Sequence, residues 1–223
     1  MRLQAHHSAW PTCKNAGEPA AAREHCEAGR RLYDPERYRS HRLLYGGHDP
    51  GVCAGKIGAA VYWLLGYPDK SLVIGSEALA LAERTAHPLS LQMGLVYNAV
   101  LHLDRGEPVL ALQRLGAVEA LVAEQRLGLF EEPLILRGAA LSAPGALNEA
   151  VGCLRDGLAR RVGGWRLCGV ARLAEALARQ GEHEATLATV REGQQGARGN
   201  GSPRVGGRTS SPRRDRAVRS QSA

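Results

Sequence analysis

The chain has 223 residues, 44% of them hydrophobic and only 4% aromatic, which is enough apolar mass for a sizeable core; runs of Val, Ile and Thr are nearly absent, which argues against a sheet protein. Its net charge of +7 lies almost wholly at one end: residues 193–223 hold seven Arg against Asp215, leaving 22 basic and 21 acidic residues in the body, so the body offers a polyanion no electrostatic attraction. Five cysteines without a Cys-x-x-Cys pair, and no apolar leader after Met1, predict reduced thiols and a cytoplasmic protein; the longest apolar stretch, Val52 to Leu65, is broken by Lys56 and is too short to span a bilayer.

Residues 1–17 show no sustained period and read as a poorly ordered lead-in. Pro19 suits a first helical turn, and residues 20–33 have helix composition until Asp34-Pro35-Glu36-Arg37 interrupts them. The segment Tyr45-Gly46-Gly47-His48-Asp49-Pro50-Gly51 is a compact turn. From Val52 the pattern is regular, with Val52, Ile57, Ala60, Val61, Leu64 and Leu65 on one helical stripe. Further helices are predicted over 68–86, from Pro88, over 108–124, 131–141, 147–161 and 166–179, and from Glu182 to about Gly193. Residues 193–223 are Gly, Ser, Arg and Pro with little apolar content and are expected to be disordered.

A phrase recurs between these helices. An apolar helix ends in Leu and, one to four residues on, a Gly, and a second helix opens within a few residues: Leu64-Leu65-Gly66-Tyr67-Pro68, Leu103-Asp104-Arg105-Gly106-Glu107-Pro108, and Leu177-Ala178-Arg179-Gln180-Gly181-Glu182, with a weaker copy ending at Gly145. Gly66, Gly106, Gly145 and Gly181 are spaced by 40, 39 and 36 residues, the period of stacked helix pairs. Small residues such as Ser71, Ala78, Ala111, Ala117 and Ala150 follow at similar offsets and permit close helix approach. The expected fold is all-α: a tetratricopeptide-like helix-hairpin solenoid, a right-handed superhelix of eight or nine helices over residues 18–192.

The stretch from Tyr33-Asp34-Pro35-Glu36-Arg37-Tyr38 through Tyr45-Gly46-Gly47-His48-Asp49-Pro50-Gly51-Val52-Cys53 to Trp63-Leu64-Leu65-Gly66-Tyr67-Pro68-Asp69 resembles the C-terminal repeat region of bacterial multidomain signalling proteins. These proteins, named adenylate or guanylate cyclases or predicted ATPases, carry a cyclase domain and an AAA-type ATPase domain before the repeats. The resemblance covers residues 20–105 closely and reaches to about 190. It implies a helical interaction or sensing module, and carries over neither enzymatic activity, because the residues of those domains are not in this stretch. The helical region looks like a fragment of such a protein, without an upstream partner helix or a polar cap.

Few residues suggest chemistry. Pro50-Gly51-Val52-Cys53-Ala54-Gly55-Lys56-Ile57 imitates a phosphate loop, but Pro50 replaces the first glycine and Ile57 the magnesium-binding hydroxyl. His41, His48, Asp49 and Cys53 form the densest polar cluster; without paired ligand spacing they read as turn and helix-start residues, with Asp49 accepting amide protons, and neither metal nor cofactor is expected. Cys153, Cys168 and His183 read as packing on helical repeats, and Glu131 and Glu132 as solvated. The tail arginines lack an aromatic platform for bases, which leaves only salt-sensitive contact with nucleic acid. The expected function is a non-catalytic scaffold binding a protein or peptide, with His48, Asp49, Tyr62, Trp63, Tyr67 and Tyr97 as the candidate interaction surface. The alternatives are a small-molecule-sensing helical domain and non-specific nucleic-acid binding by the tail.

Overall fold

The structure, a computed structural model, describes residues 2–127, 132–142, 145–160 and 165–199. Among them there is no strand. Eleven helices run in order: α1 (Arg2–Asn15), α2 (Pro19–Leu32), α3 (His41–Leu44), α4 (Pro50–Leu64), α5 (Pro68–Thr85), α6 (Pro88–Asp104), α7 (Pro108–Gln125), α8 (Glu132–Ala140), α9 (Leu147–Ala159), α10 (Arg166–Arg179) and α11 (His183–Gly199).

The recurrent phrase closes the helices chemically. Gly66, Gly106 and Gly181 have φ of 82°, 74° and 80°, the left-handed conformation that only glycine adopts without a Cβ clash. At each, two amides turn back onto the helix end. Gly66 N–H donates to Trp63 O and Tyr67 N–H to Tyr62 O; Gly106 and Glu107 do the same to Leu103 and His102, and Gly181 and Glu182 to Ala178 and Leu177. This is the Schellman arrangement, which satisfies carbonyls left open at a helix C-terminus. Pro68 and Pro108 then start the next helix where a missing N–H costs nothing.

Five hairpins result: α1/α2, α4/α5, α6/α7, α8/α9 and α10/α11. The second helix of each packs on the first helix of the next, and α1, α4, α6, α8 and α10 touch in succession to form one face of the stack. Close approach is built from small residues. A Cβ on Gly55 of α4 would lie 2.6 Å from Ala78 Cβ of α5, and Ser71 Oγ donates to Ala59 O across the same interface at 2.7 Å.

Four sequence expectations change. Residues 2–15, read as an unordered lead-in, form α1, because Leu3 and Trp10 are fully buried in one apolar cluster with Ala22, Cys26, Ala54 and Val61. A one-turn helix, α3, lies in the 34–49 connection, so the described helices number eleven rather than eight or nine. The stripe expected on α4 is instead burial nearly all round, since α1, α2, α5 and α6 enclose it. The last helix continues past Gly193 to Gly199; residues 200–223, the rest of the expected tail, lie outside the described residues, as does Glu131. No described helix is long and apolar enough to cross a membrane.

Candidate functional site

The site begins at the N-terminus of α4. Asp49 is 1% exposed, and its Oδ1 accepts from Gly51 N at 2.8 Å and Val52 N at 3.1 Å. Its Oδ2 accepts from Tyr33 Oη at 2.9 Å, and its own amide donates to Ser90 Oγ on α6 at 2.8 Å. Every polar atom of this residue is thereby committed to the fold, the helix-start role that a carboxylate before Pro-Gly implies. Burial and the neighbouring Asp49 carboxylate push the Tyr33 hydroxyl pKa up.

Next to it, a cleft runs along the face made by α1, α4, α6 and α8. One part, of about 560 Å³, is lined by His7, His48, Cys53, Lys56 and Tyr97. A deeper part, of about 240 Å³, is lined by His48, Lys56, Gln92, Met93, Tyr97 and Glu132. A third, of about 150 Å³, continues past Trp63, Val100 and Asp104. Lys56 and Tyr97 line all three.

The polar groups in this cleft are unusual for an interior. Lys56 is 7% exposed, and its Nζ stands 4.4 Å from the centre of the Tyr97 ring, a cation–π contact. Burial lowers its pKa, while burial raises the Tyr97 hydroxyl to about 12. Gln92 is 1% exposed, and neither its Nε2 nor its Oε1 has a hydrogen-bond partner among the described residues. Such an orphaned amide costs free energy unless something pairs with it.

At the α1 end of the cleft, His7, His48 and Cys53 place their ligand-type atoms within 4.8 Å of one another. His7 Nε2 and His48 Nε2 are 3.1 Å apart. His48 Nδ1 lies 2.7 Å from Gly46 O, and His7 Nδ1 lies 2.9 Å from Gln4 Oε1, whose Nε2 is engaged by His41 Nδ1. His7 also stacks on Trp10, with ring centres 4.9 Å apart. Burial, then the neighbouring His48, lowers the His7 pKa to about 4; burial also lowers that of His48 and raises the Cys53 thiol.

The proposed surface residues are therefore split. His48 and Tyr97 line the deep cleft, Trp63 lines its far end, and Asp49 is structural. Tyr62 points to the other side of α4: it is 4% exposed beside Ala59, Ile74 and Leu101, and its hydroxyl bonds Glu27. Tyr67 is exposed and meets Tyr62 edge-on at the α4–α5 turn. Of the polar cluster read from the sequence, His41 is held away by Gln4, and His7, 41 residues from His48, takes the place beside it. Sequence reading passed over His7, Lys56 and Gln92 as site residues. For His7 a signal existed: Gly17-Glu18-Pro19 repeats Gly106-Glu107-Pro108 and marks residues before 17 as the first helix of a hairpin.

No family model matches the chain. An uncharacterized protein of Rhizobium meliloti (strain 1021) is 32% identical over 124 residues, covering 56% of this chain and 12% of that protein; the chain thus spans a small part of a much longer relative. Among solved structures, the tetratricopeptide-like repeats of a putative kinesin light chain from Podosopora anserina superpose with a TM-score of 0.56 at 18% identity, over 87% of this chain and 94% of that one. A single-substitution variant of the same protein gives 0.57, over 87% and 93%. The fold is a tetratricopeptide-like repeat. Within such a repeat stack, the cleft lies on the face formed by the first helices of the hairpins, with α1 supplying one wall.

Proposed function

We propose that this repeat stack is a non-catalytic scaffold that takes a peptide segment of a partner protein into the cleft between α1, α4, α6 and α8. The observation that carries the reading is Gln92. Its carboxamide presents a donor and an acceptor side by side, the complement of one peptide unit's C=O and N–H, and both are buried without a partner on the cleft wall. Lys56, on its Tyr97 platform, adds a cation for a carboxylate or carbonyl of the same segment. Selection of displayed random peptides against the chain tests this. The expected outcome is a set of binders whose affinity falls at least about tenfold in Gln92→Leu, from loss of one charge-free but buried hydrogen-bond pair, and is unchanged in Glu77→Ala on α5. Binders insensitive to Gln92→Leu would overturn the reading.

The resemblance over residues 33–69, together with the long Rhizobium relative, supports placing this scaffold as a cytoplasmic repeat module of a cyclase- or ATPase-type signalling protein. The repeat domain would comprise residues 18–192 together with α1, whose Trp10 completes the core. A second reading, a sensor of a small polar molecule, draws on the convergence of His48, Lys56, Gln92 and Glu132 on about 240 Å³, a volume too small for more than one side chain or a compact metabolite. Thermal-shift screening of small polar compounds separates the two: a free compound that raises the melting temperature in wild type and not in Gln92→Leu favours the sensor.

A further inference from the structure

We infer that His7, His48 and Cys53 form a three-ligand site for a zinc-class divalent metal ion, with its fourth position open to the cleft. The argument starts from the ring nitrogens. Gly46 O can only accept a hydrogen bond, so His48 Nδ1, 2.7 Å away, carries the proton and His48 Nε2 presents a lone pair. Gln4 Nε2 is engaged by His41, so Gln4 Oε1 faces His7 Nδ1 at 2.9 Å, and His7 Nε2 presents a second lone pair. These two lone pairs meet at 3.1 Å. Two neutral imidazoles in these tautomers repel at that distance unless an electrophile lies between them.

A metal ion satisfies every part of this arrangement. Two imidazole nitrogens on tetrahedral zinc stand about 3.4 Å apart, and a nitrogen and a thiolate sulfur about 3.6 Å apart. The nitrogen pair is already near that separation, and closing the set requires the Cys53 sulfur, within 4.8 Å of both, to approach by about 1 Å. The hydrogen bonds on the far side are those expected of ligating histidines, whose second N–H goes to a carbonyl or amide oxygen that fixes the ring. Those bonds at Nδ1 leave Nε2 as the unprotonated, ligating nitrogen of each ring, and metal binding displaces the Cys53 proton to solvent to give the thiolate. Two imidazoles and one thiolate suit zinc better than magnesium or calcium. Lys56, one turn along α4 from Cys53, holds its Nζ 4.4 Å from the centre of the Tyr97 ring, a contact that offsets part of its repulsion of the ion.

The ligands also tie the fold together. His7 comes from α1, His48 from the turn before α4 and Cys53 from the first turns of α4, so the ion would cross-link the first hairpin to the second. This inference does not depend on the peptide reading, because the peptide selection above can be run on metal-free protein.

The test uses the reduced, chelator-treated chain titrated with Zn²⁺ by calorimetry and with Co²⁺ as a spectroscopic stand-in. The expected result is about one ion per chain and a thiolate-to-Co²⁺ charge-transfer band. Cys53→Ala abolishes the band. His48→Gln weakens binding at least about tenfold, and Gln4→Ala, which removes only the positioning bond to His7, weakens it about tenfold. Cys168→Ser leaves binding unchanged. Far-UV circular dichroism identifies any variant that fails to fold; should Cys53→Ala do so, the His48→Gln and Gln4→Ala affinities decide. Absence of the charge-transfer band in wild type, or affinity unaffected by His48→Gln, would mean a histidine–histidine hydrogen bond only and overturns the site.

Discussion

Trp10 of α1 lies across Gly29 of α2, so closely that a Cβ at residue 29 would come within 2.3 Å of Trp10 Cζ3. The indole is fully buried in this contact, and its docking is what holds α1, and with it His7, on the α4 wall of the cleft. Gly29→Ala therefore overpacks the α1–α2 interface at a fully buried ring. The expected loss is about 2 kcal/mol, read as a lower urea midpoint with a red-shifted Trp emission as α1 detaches. A variant as stable as wild type would show that α1 is not seated there.

Asp49 holds three elements at one point: two amides of α4, the Tyr33 hydroxyl and, through its own N–H, Ser90 of α6. Asp49→Ala leaves buried donors without an acceptor and removes the helix cap, for a loss of about 3 kcal/mol. Asp49→Asn keeps an oxygen for the α4 amides and costs about 1 kcal/mol. Equal denaturation midpoints for the two variants would sink this account of the carboxylate.

The stack was legible because its turns demand one residue type. Positive φ at Gly66, Gly106 and Gly181 can be read as a spacing of glycines without any knowledge of packing. The site was less legible because it is assembled from distance rather than period. His7 reaches His48 across 41 residues of chain only because α1 docks, and α1 contributes just Leu3 and Trp10 to the core, with Pro11 interrupting the pattern, too little for a periodic signal. Gln92 is one of several polar residues on α6, with Ser90, Asn98 and His102, and nothing in the sequence around it distinguishes a polar residue facing solvent or bonded to a neighbour from one buried without a partner. Tyr62 and Trp63 are adjacent in sequence and so face different ways on α4, which is why only one of them reached the cleft.

Two turns break the glycine rule and can be repaired. Ala86 closes α5 at φ 47° and Arg126 closes α7 at φ 51°, both left-handed and both bearing a Cβ. Ala86→Gly or Arg126→Gly relieves that strain and loses some of the gain to the flexibility of unfolded glycine, for a net stabilisation of about 0.5–1 kcal/mol each. Gly106→Ala, at φ 74°, runs the other way by about 1 kcal/mol. Differential scanning calorimetry of the three variants should give two melting temperatures above wild type and one below; any other order contradicts the assigned turn geometry.

Glu107 braces the α6–α7 turn, and Arg105, which it holds, links that turn to the preceding hairpin. His102 Nδ1 lies 2.7 Å from its Oε2, and Arg105 Nε donates to its Oε1 at 3.0 Å, while Arg105 also reaches Asp69 at the preceding turn, 3.6 Å away. The hydrogen bonds from His102 and then Arg105 hold the Glu107 carboxyl below its ordinary pKa. A folded-state value below the unfolded one means that the unfolded chain binds more protons in the interval between them. The stabilisation is thus fully present above the unfolded value, about 4.3, and is lost as pH falls through the lowered folded value. Glu107→Gln removes this proton uptake, so its melting temperature should decline less steeply than that of wild type from about pH 5 to pH 3. Because the carboxylate is solvent-accessible, the difference at neutral pH and at high salt should be small; parallel acid limbs for the two proteins would show that the turn carboxylate does not couple folding to protons.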